Sequence, residues 1–255
     1  MIVTEETWGT IPLLHVHTID MNEHTPVVIF LHGFLSAKEH NLHYAYQLVK
    51  KGIRVILPDA KLHGDRSEAL NEMQLNLQFW EIVLQSIHEV EQLYMHLKES
   101  KLFSSGKIGI AGTSMGAIVT SGSLKRYDWI HTAAICMGAP NFVELGQYQL
   151  DRLEAQGLSW PMSDEEIVKS NALLASYSIA ETPEKFAGKP VLFWHGKQDA
   201  TIPFKNTYTF YLKLRSFYEK QPELLNFIVD NQAGHSVSRE GVLAATNWLA
   251  QHLAE

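Results

Sequence analysis

The chain has 255 residues, 45% of them hydrophobic, and a formal net charge of −7, which suits one domain, residues 1–255, with a sizeable core. The acidic balance, without a basic stripe, argues against a nucleic-acid partner, and no apolar run approaches the length of a membrane span. One cysteine, Cys136, excludes an intramolecular disulfide and points to a reducing, cytoplasmic setting, and the first ten residues hold Glu5 and Glu6 without the basic cluster of a secretory signal.

Residues 2–8 and 11–19 alternate as an amphipathic antiparallel hairpin about Gly9. An apolar strand at 27–31 ends in His32-Gly33-Phe34-Leu35. This short glycine-bearing loop leads into a helix at 36–51, where Ser36 and Glu39 have capping-box spacing. A strand at 53–57 precedes a loop holding Asp59, His63 and Asp65, expected to structure the floor of a pocket. The next helix, 74–98, carries Trp80, Val83, Leu84, Ile87, Val90, Tyr94 and Leu97 at intervals of three and four, the spacing of one buried face.

Strand 108–111 then runs into Gly112-Thr113-Ser114-Met115-Gly116, followed by a helix at 115–125. A Gly-x-Ser-x-Gly between strand and helix is a nucleophile elbow, the sharp turn that lifts a serine hydroxyl clear of a sheet edge. The N–H of Met115 after the serine and that of Phe34 in the first loop are the expected oxyanion donors. After a strand at 133–137 come some fifty residues before the next strand, where a simple crossover needs far fewer. Ser163 with Glu166 repeats the capping-box signature, and Thr182-Pro183-Glu184 starts a further short helix. Residues 141–187 are therefore expected to form two or three helices as a lid insertion. Phe142, Tyr148, Leu158, Trp160 and Met162 would supply its apolar underside and contact substrate.

Strand 191–194 leads to His195-Gly196-Lys197-Gln198-Asp199, and helix 203–219 follows. Strand 225–229 leads to Ala233-Gly234-His235 before a last helix at 238–253. Ser114, Asp199 and His235 thus occur in the chain order of an α/β-hydrolase triad, each on a loop at the carboxyl edge of the sheet. An imidazole is needed to take the serine proton, and a carboxylate to hold its tautomer and stabilise the cation. The alternation of strand and helix predicts an α/β-hydrolase fold, a mostly parallel sheet with helices on both faces.

His32-Gly33-Phe34, the Ser114 elbow, His195-Gly196-Lys197-Gln198-Asp199 and Ala233-Gly234-His235 resemble segments of esterases related to dienelactone hydrolases and prolyl oligopeptidases. More closely, with Leu57-Pro58-Asp59-Ala60, His63-Gly64 and Phe79-Trp80, the chain resembles the small bacterial carboxylesterases of the YitV and YjfP type. The resemblance spans nearly the whole chain and implies a serine carboxylesterase that hydrolyses short-chain esters of small molecules. Dienelactone hydrolases proper use a cysteine nucleophile where this chain has Ser114, and prolyl oligopeptidases add a large second domain; neither activity is carried over. A thioesterase or amide hydrolase could use the same triad, and a ligand-binding relative without turnover is a further alternative.

No cofactor is expected. Thirteen histidines raise the question of a metal, yet none forms a His-x-x-x-His pair beside a suitable carboxylate, and no Cys/His cluster exists. His40 with His43, and His15 with His17, are expected to be exposed pairs, and Cys136 a buried small hydrophobe.

Overall fold

The computed structural model describes residues 1–157 and 162–254. The eight strands are β1 (Ile2–Trp8), β2 (Ile11–His17), β3 (Val27–Leu31), β4 (Arg54–Pro58), β5 (Ile108–Thr113), β6 (Ile130–Cys136), β7 (Val191–Gly196) and β8 (Leu225–Asp230). They form one sheet in the order β1-β2-β4-β3-β5-β6-β7-β8. The pairs β1–β2 and β2–β4 are antiparallel and the others parallel.

The central strands are buried along nearly their whole length because helices cover both faces. Alternate residues divide between two cores. Val27, Ile29, Ile110, Ile135 and Phe193 face one, with α3 (Phe79–Glu99) and α4 (Met115–Arg126) packed over them. Val28, Phe30, Ala111, Ala134 and Trp194 face the other, under α1 (Leu42–Val49) and α8 (Arg239–Ala254). The remaining helices are α2 (Glu72–Leu77), α5 (Phe142–Ala155), α6 (Asp164–Tyr177) and α7 (Phe204–Leu214).

Tertiary contacts alter two of the expected helices and the expected exposure of His15. The helix at 36–51 starts later, as a 3-10 turn at Lys38–Asn41 running into α1, and Ser36 does not cap it. The Lys38 N–H is satisfied instead by Asp59 Oδ1 at 2.9 Å, and the Lys38 ammonium by Asp59 Oδ2 at 2.7 Å. Helix 74–98 is two helices meeting at Gln78, the first opened by a complete capping box between Asn71 and Gln74. His15 is buried, 4% exposed, its Nδ1 on Glu6 at 2.9 Å and its Nε2 on Arg54 at 2.7 Å. Pairing of β2 with β4 brings the Arg54 guanidinium under it, which strand periodicity could not anticipate. His40 and His43 are exposed. The Ser163–Glu166 capping box forms at the start of α6, and Pro183 opens a 3-10 turn at Pro183–Phe186.

The tightest packing lies at the β5–α4 junction. A Cβ added to Gly112 would stand 2.4 Å from the Gly116 carbonyl carbon, and one added to Gly116 would stand 2.1 Å from Leu31 O. These are contacts with backbone, which cannot yield without separating β3, β5 and α4. Gly112→Ala and Gly116→Ala should each cost at least about 2 kcal/mol, lowering Tm by roughly 4–8 °C in a chain of this size. Gly234→Ala, whose Cβ would meet nothing nearer than Gln198 O at 3.8 Å, should leave Tm within a degree or two of the wild type. Thermal melts of the three variants check the ranking.

Candidate active site

Ser114 sits between β5 and α4 at φ 53°, ψ −116°, a conformation that costs a non-glycine residue about 1–3 kcal/mol. Its surroundings hold it there. The Ser114 N–H donates to Cys136 O in β6 at 3.0 Å, and its carbonyl accepts from the Ala117 and Ile118 N–H groups, both at 3.0 Å. Cys136 itself is fully buried, with burial pushing its thiol up to about 12, so it is an inert neighbour.

The loops after β7 and β8 are pinned to each other before they meet the serine. Lys197 N–H donates to Asp230 O at 2.8 Å and Gln198 N–H to Ala233 O at 3.0 Å. The approach is so close that a Cβ on Gly196 would lie 2.4 Å from Gly234 O. Asp230 Oδ1 accepts from the Gln232 and Ala233 N–H groups at 3.1 and 3.0 Å, shaping the turn that presents His235.

The three expected side chains come together. His235 Nε2 lies 2.9 Å from Ser114 Oγ, and His235 Nδ1 lies 2.8 Å from Asp199 Oδ2. A carboxylate accepts, so Nδ1 carries the proton and Nε2 is left free to accept from the serine hydroxyl. The Asp199 side chain is fully buried, whereas His235 keeps a quarter of its side-chain surface exposed. Burial by itself would push the Asp199 carboxyl up. Hydrogen bonds from His195, His235 and the Ile202 N–H outweigh it and hold the carboxyl well below the ordinary carboxylate range. Asp199 Oδ1 also accepts from the Thr201 N–H. The acid is therefore a fixed anion.

His195, fully buried, was not singled out by the sequence as part of this group. Its Nε2–H is shared between Ile202 O at 3.0 Å and Asp199 Oδ2 at 3.3 Å, so it braces the acid. A spacing of four marks a shared face only on a helix, and His195 lies in strand β7, so the sequence carried no signal of this contact.

On the far side of Ser114 stands the β3 loop. A Cβ on Gly33 would rest 3.5 Å from Ser114 Cβ, so the Gly33–Phe34 peptide borders the serine. Met115 opens α4, and its N–H has no intrahelical acceptor. The loop itself is held by two buried histidines. His32 Nδ1 donates to Gly33 O at 2.7 Å and its Nε2 accepts from the Ala60 N–H at 3.0 Å. His63 Nε2 accepts from the Leu35 N–H at 3.1 Å.

The substrate-contact residues expected in 141–187 divide. Phe142 is fully buried, packed on Trp80 at 5.4 Å between ring centroids. It belongs to the core because it packs between Trp80 of α3 and Gly122 of α4. Tyr148 donates its hydroxyl to Ala200 O at 2.9 Å, with Arg152 on the same oxygen at 3.1 Å, tying α5 to the loop after Asp199. Met162 lines a cleft of about 120 Å³ with Leu77, Trp80, Leu150, Ile167 and Leu174. Leu158 and Trp160 lie outside the described residues. Among the described residues, no group of three or more His, Cys, Asp or Glu side chains is arranged to hold a metal ion, and no helix is long and apolar enough to cross a membrane.

Residues 40–255 match the model of the prolyl oligopeptidase family. The chain is 43% identical over 253 residues to a Bacillus subtilis (strain 168) protein named "Putative esterase YitV", covering 98% of this chain and 99% of that one. It is 30% identical over 252 residues to the esterase YjfP of Escherichia coli (strain K12), covering 95% and 96%. Among solved structures it resembles TT1662 from Thermus thermophilus, with a TM-score of 0.77 at 19% identity, covering 100% of this chain and 98% of the other. The chain belongs to the prolyl oligopeptidase family and has the α/β-hydrolase fold.

Burial pushes His32 down to about 4, only partly offset by its bond to Gly33 O. Below the usual histidine value of about 6.5 the unfolded chain takes up a proton that folded His32 refuses until about pH 4. The neutral ring's contribution is thus fully present above about pH 6.5 and lost as pH falls to 4, a change of about 3 kcal/mol. Urea unfolding at pH 7, 5.5 and 4 should show stability falling across this window. His32→Gln, less stable at pH 7, should show a shallower fall.

Proposed function

We propose that this protein is a serine carboxylic ester hydrolase working through an acyl-enzyme on Ser114. The observation that carries the reading is the unbroken relay from Ser114 Oγ to His235 Nε2 at 2.9 Å and from His235 Nδ1 to Asp199 Oδ2 at 2.8 Å. The esterase names of the relatives that align along nearly the whole chain support it.

Ser114 Oγ attacks the ester carbonyl carbon while His235 Nε2 takes the hydroxyl proton. Asp199 stays ionised, holds the ring and stabilises its cation. The Phe34 and Met115 N–H groups donate to the oxygen that becomes negative in the tetrahedral state. Collapse of that state breaks the bond to the alcohol, which leaves with the proton from His235. Water then gives a proton to His235 and attacks the acyl carbon, and the acid departs as Ser114 regains its hydrogen.

The substrate we propose is a short acyl ester. The loop beside Ser114 presents Phe34, whose ring meets Phe79 at 5.4 Å, and Phe79 meets Trp80 at 5.3 Å, an apolar ladder leading towards the cleft under α5 and α6. We read residues 141–187 as the lid over this ladder, with Tyr148 as its tie to the Asp199 loop. A location in the cytoplasm accords with the single buried thiol.

Ser114→Ala should lower ester turnover about a millionfold with the fold intact. Asp199→Asn should cost on the order of ten-thousandfold by leaving the wrong imidazole tautomer. Asp230→Asn keeps an oxygen for the Gln232 and Ala233 amides and should cost less than about tenfold; a reversed order of the two acids would refute the assignment. Across p-nitrophenyl esters, kcat/KM should rise from acetyl to butyryl or hexanoyl, by at most about fourfold per methylene, and then fall. A series that keeps climbing to palmitoyl would exclude a short acyl site.

A further inference from the structure

The Phe34 N–H is useful only if its peptide plane points at Ser114, and that N–H shares its plane with the Gly33 carbonyl. The carbonyl is clamped by His32 Nδ1–H at 2.7 Å and by the Ser36 N–H at 3.2 Å. The next peptide is less secure, because Leu35 is a non-glycine residue at φ 60°. Left alone, Leu35 would move to negative φ and swing Phe34 with it. Its N–H is instead captured by His63 Nε2 at 3.1 Å.

His63 suits the task in one protonation state only. Its Nδ1 faces Lys61 O at 2.9 Å. A carbonyl can only accept, so Nδ1 carries the hydrogen and Nε2 offers its lone pair to Leu35. The ring is 3% exposed, packs edge-on against Phe34 at 5.3 Å, and lies 5.3 Å from the His32 ring. Its loop is tied to the chain beyond Leu35 by the buried Asp59, which accepts from the Lys38 N–H, the Lys38 ammonium and the Asp65 N–H.

We infer that His63 is a positioning residue for the oxyanion donor: through the Leu35 N–H and the face of Phe34 it holds the Phe34 amide aimed at Ser114. The inference rests on the serine-esterase reading. His63 touches neither Ser114 nor the ester. An oxyanion donor acts on the tetrahedral state rather than on the bound ester, so loss of its aim falls on kcat and leaves KM nearly alone.

The test compares wild type, His63→Ala, His63→Gln and His63→Met on p-nitrophenyl butyrate, with inhibition by a trifluoromethyl ketone that forms a tetrahedral oxyanion on the serine. His63→Ala should lower kcat by about tenfold to a hundredfold, with KM within about twofold. Trifluoromethyl ketone affinity should weaken by a similar factor. His63→Gln can accept from Leu35 and donate to Lys61 O, so it should return kcat to within about threefold of wild type. His63→Met fills the space without a strong acceptor and should resemble His63→Ala, which keeps the comparison decisive if the alanine variant does not fold. Equal kcat for the Gln and Met variants, or a loss confined to KM, would overturn the role of His63. A wild-type enzyme without ester turnover would overturn the esterase reading instead.

Discussion

Backbone crowding between β5 and α4 is the constraint on which the rest of the molecule depends. Ser114 occupies a turn that a relaxed chain would leave, and it stays because β3, β5, β6 and α4 are already in contact around it. Leu31 O lies against Gly116, Gly112 lies against Gly116, and Cys136 O takes the Ser114 N–H. The cost of the turn, about 1–3 kcal/mol, is set against the burial of two apolar cores that cannot form unless these strands lie side by side. The strain is local and its support is global, which is why so small a motif needs an eight-stranded sheet behind it.

From that fixed point the loops are arranged by hydrogen bonds among their polar groups. The strands end at one edge and deliver the β3, β4, β7 and β8 loops to a common place. Bonds between loops then set the side chains. Asp230 and Ala233 join the β7 and β8 loops, His195 and two backbone amides fix Asp199, and His32 and His63 join the β3 and β4 loops. His32, His63, His195 and Asp199 are buried, and each has a partner whose removal would strand a donor or acceptor out of water. The polar network costs desolvation and returns geometry: the serine, the imidazole and the anion have little freedom to misalign.

Much of this was legible in the residues. The Gly-x-Ser-x-Gly flanked by a strand and a helix is a local pattern, because the strain of the elbow admits only a few residue types. The order Ser114, Asp199, His235 is likewise a property of the chain, fixed by which strand ends carry the loops. The continuous apolar strands announced a sheet covered on both faces, and the capping box at Ser163 involves residues three apart, so one turn of chain suffices to set it. By contrast, the expected cap at Ser36 failed because Asp59, twenty-one residues from Lys38, offers that amide a better acceptor, and the break at Gln78 follows from the fit of two helices rather than from helical periodicity.

The sequence by itself thus determined the α/β alternation, the elbow and the identity of its partners in chemistry, since each depends on neighbouring residues or on chain order. Only the tertiary structure decided which polar groups meet across the chain. It buried His15 on Arg54, moved Phe142 from a supposed pocket wall into the core, set His195 beneath Asp199 and brought His63 to Leu35. The physical reason is range. Propensities and periodicities act over a few residues, whereas a buried donor is satisfied by whichever acceptor the packing of distant strands and loops brings within about 3 Å.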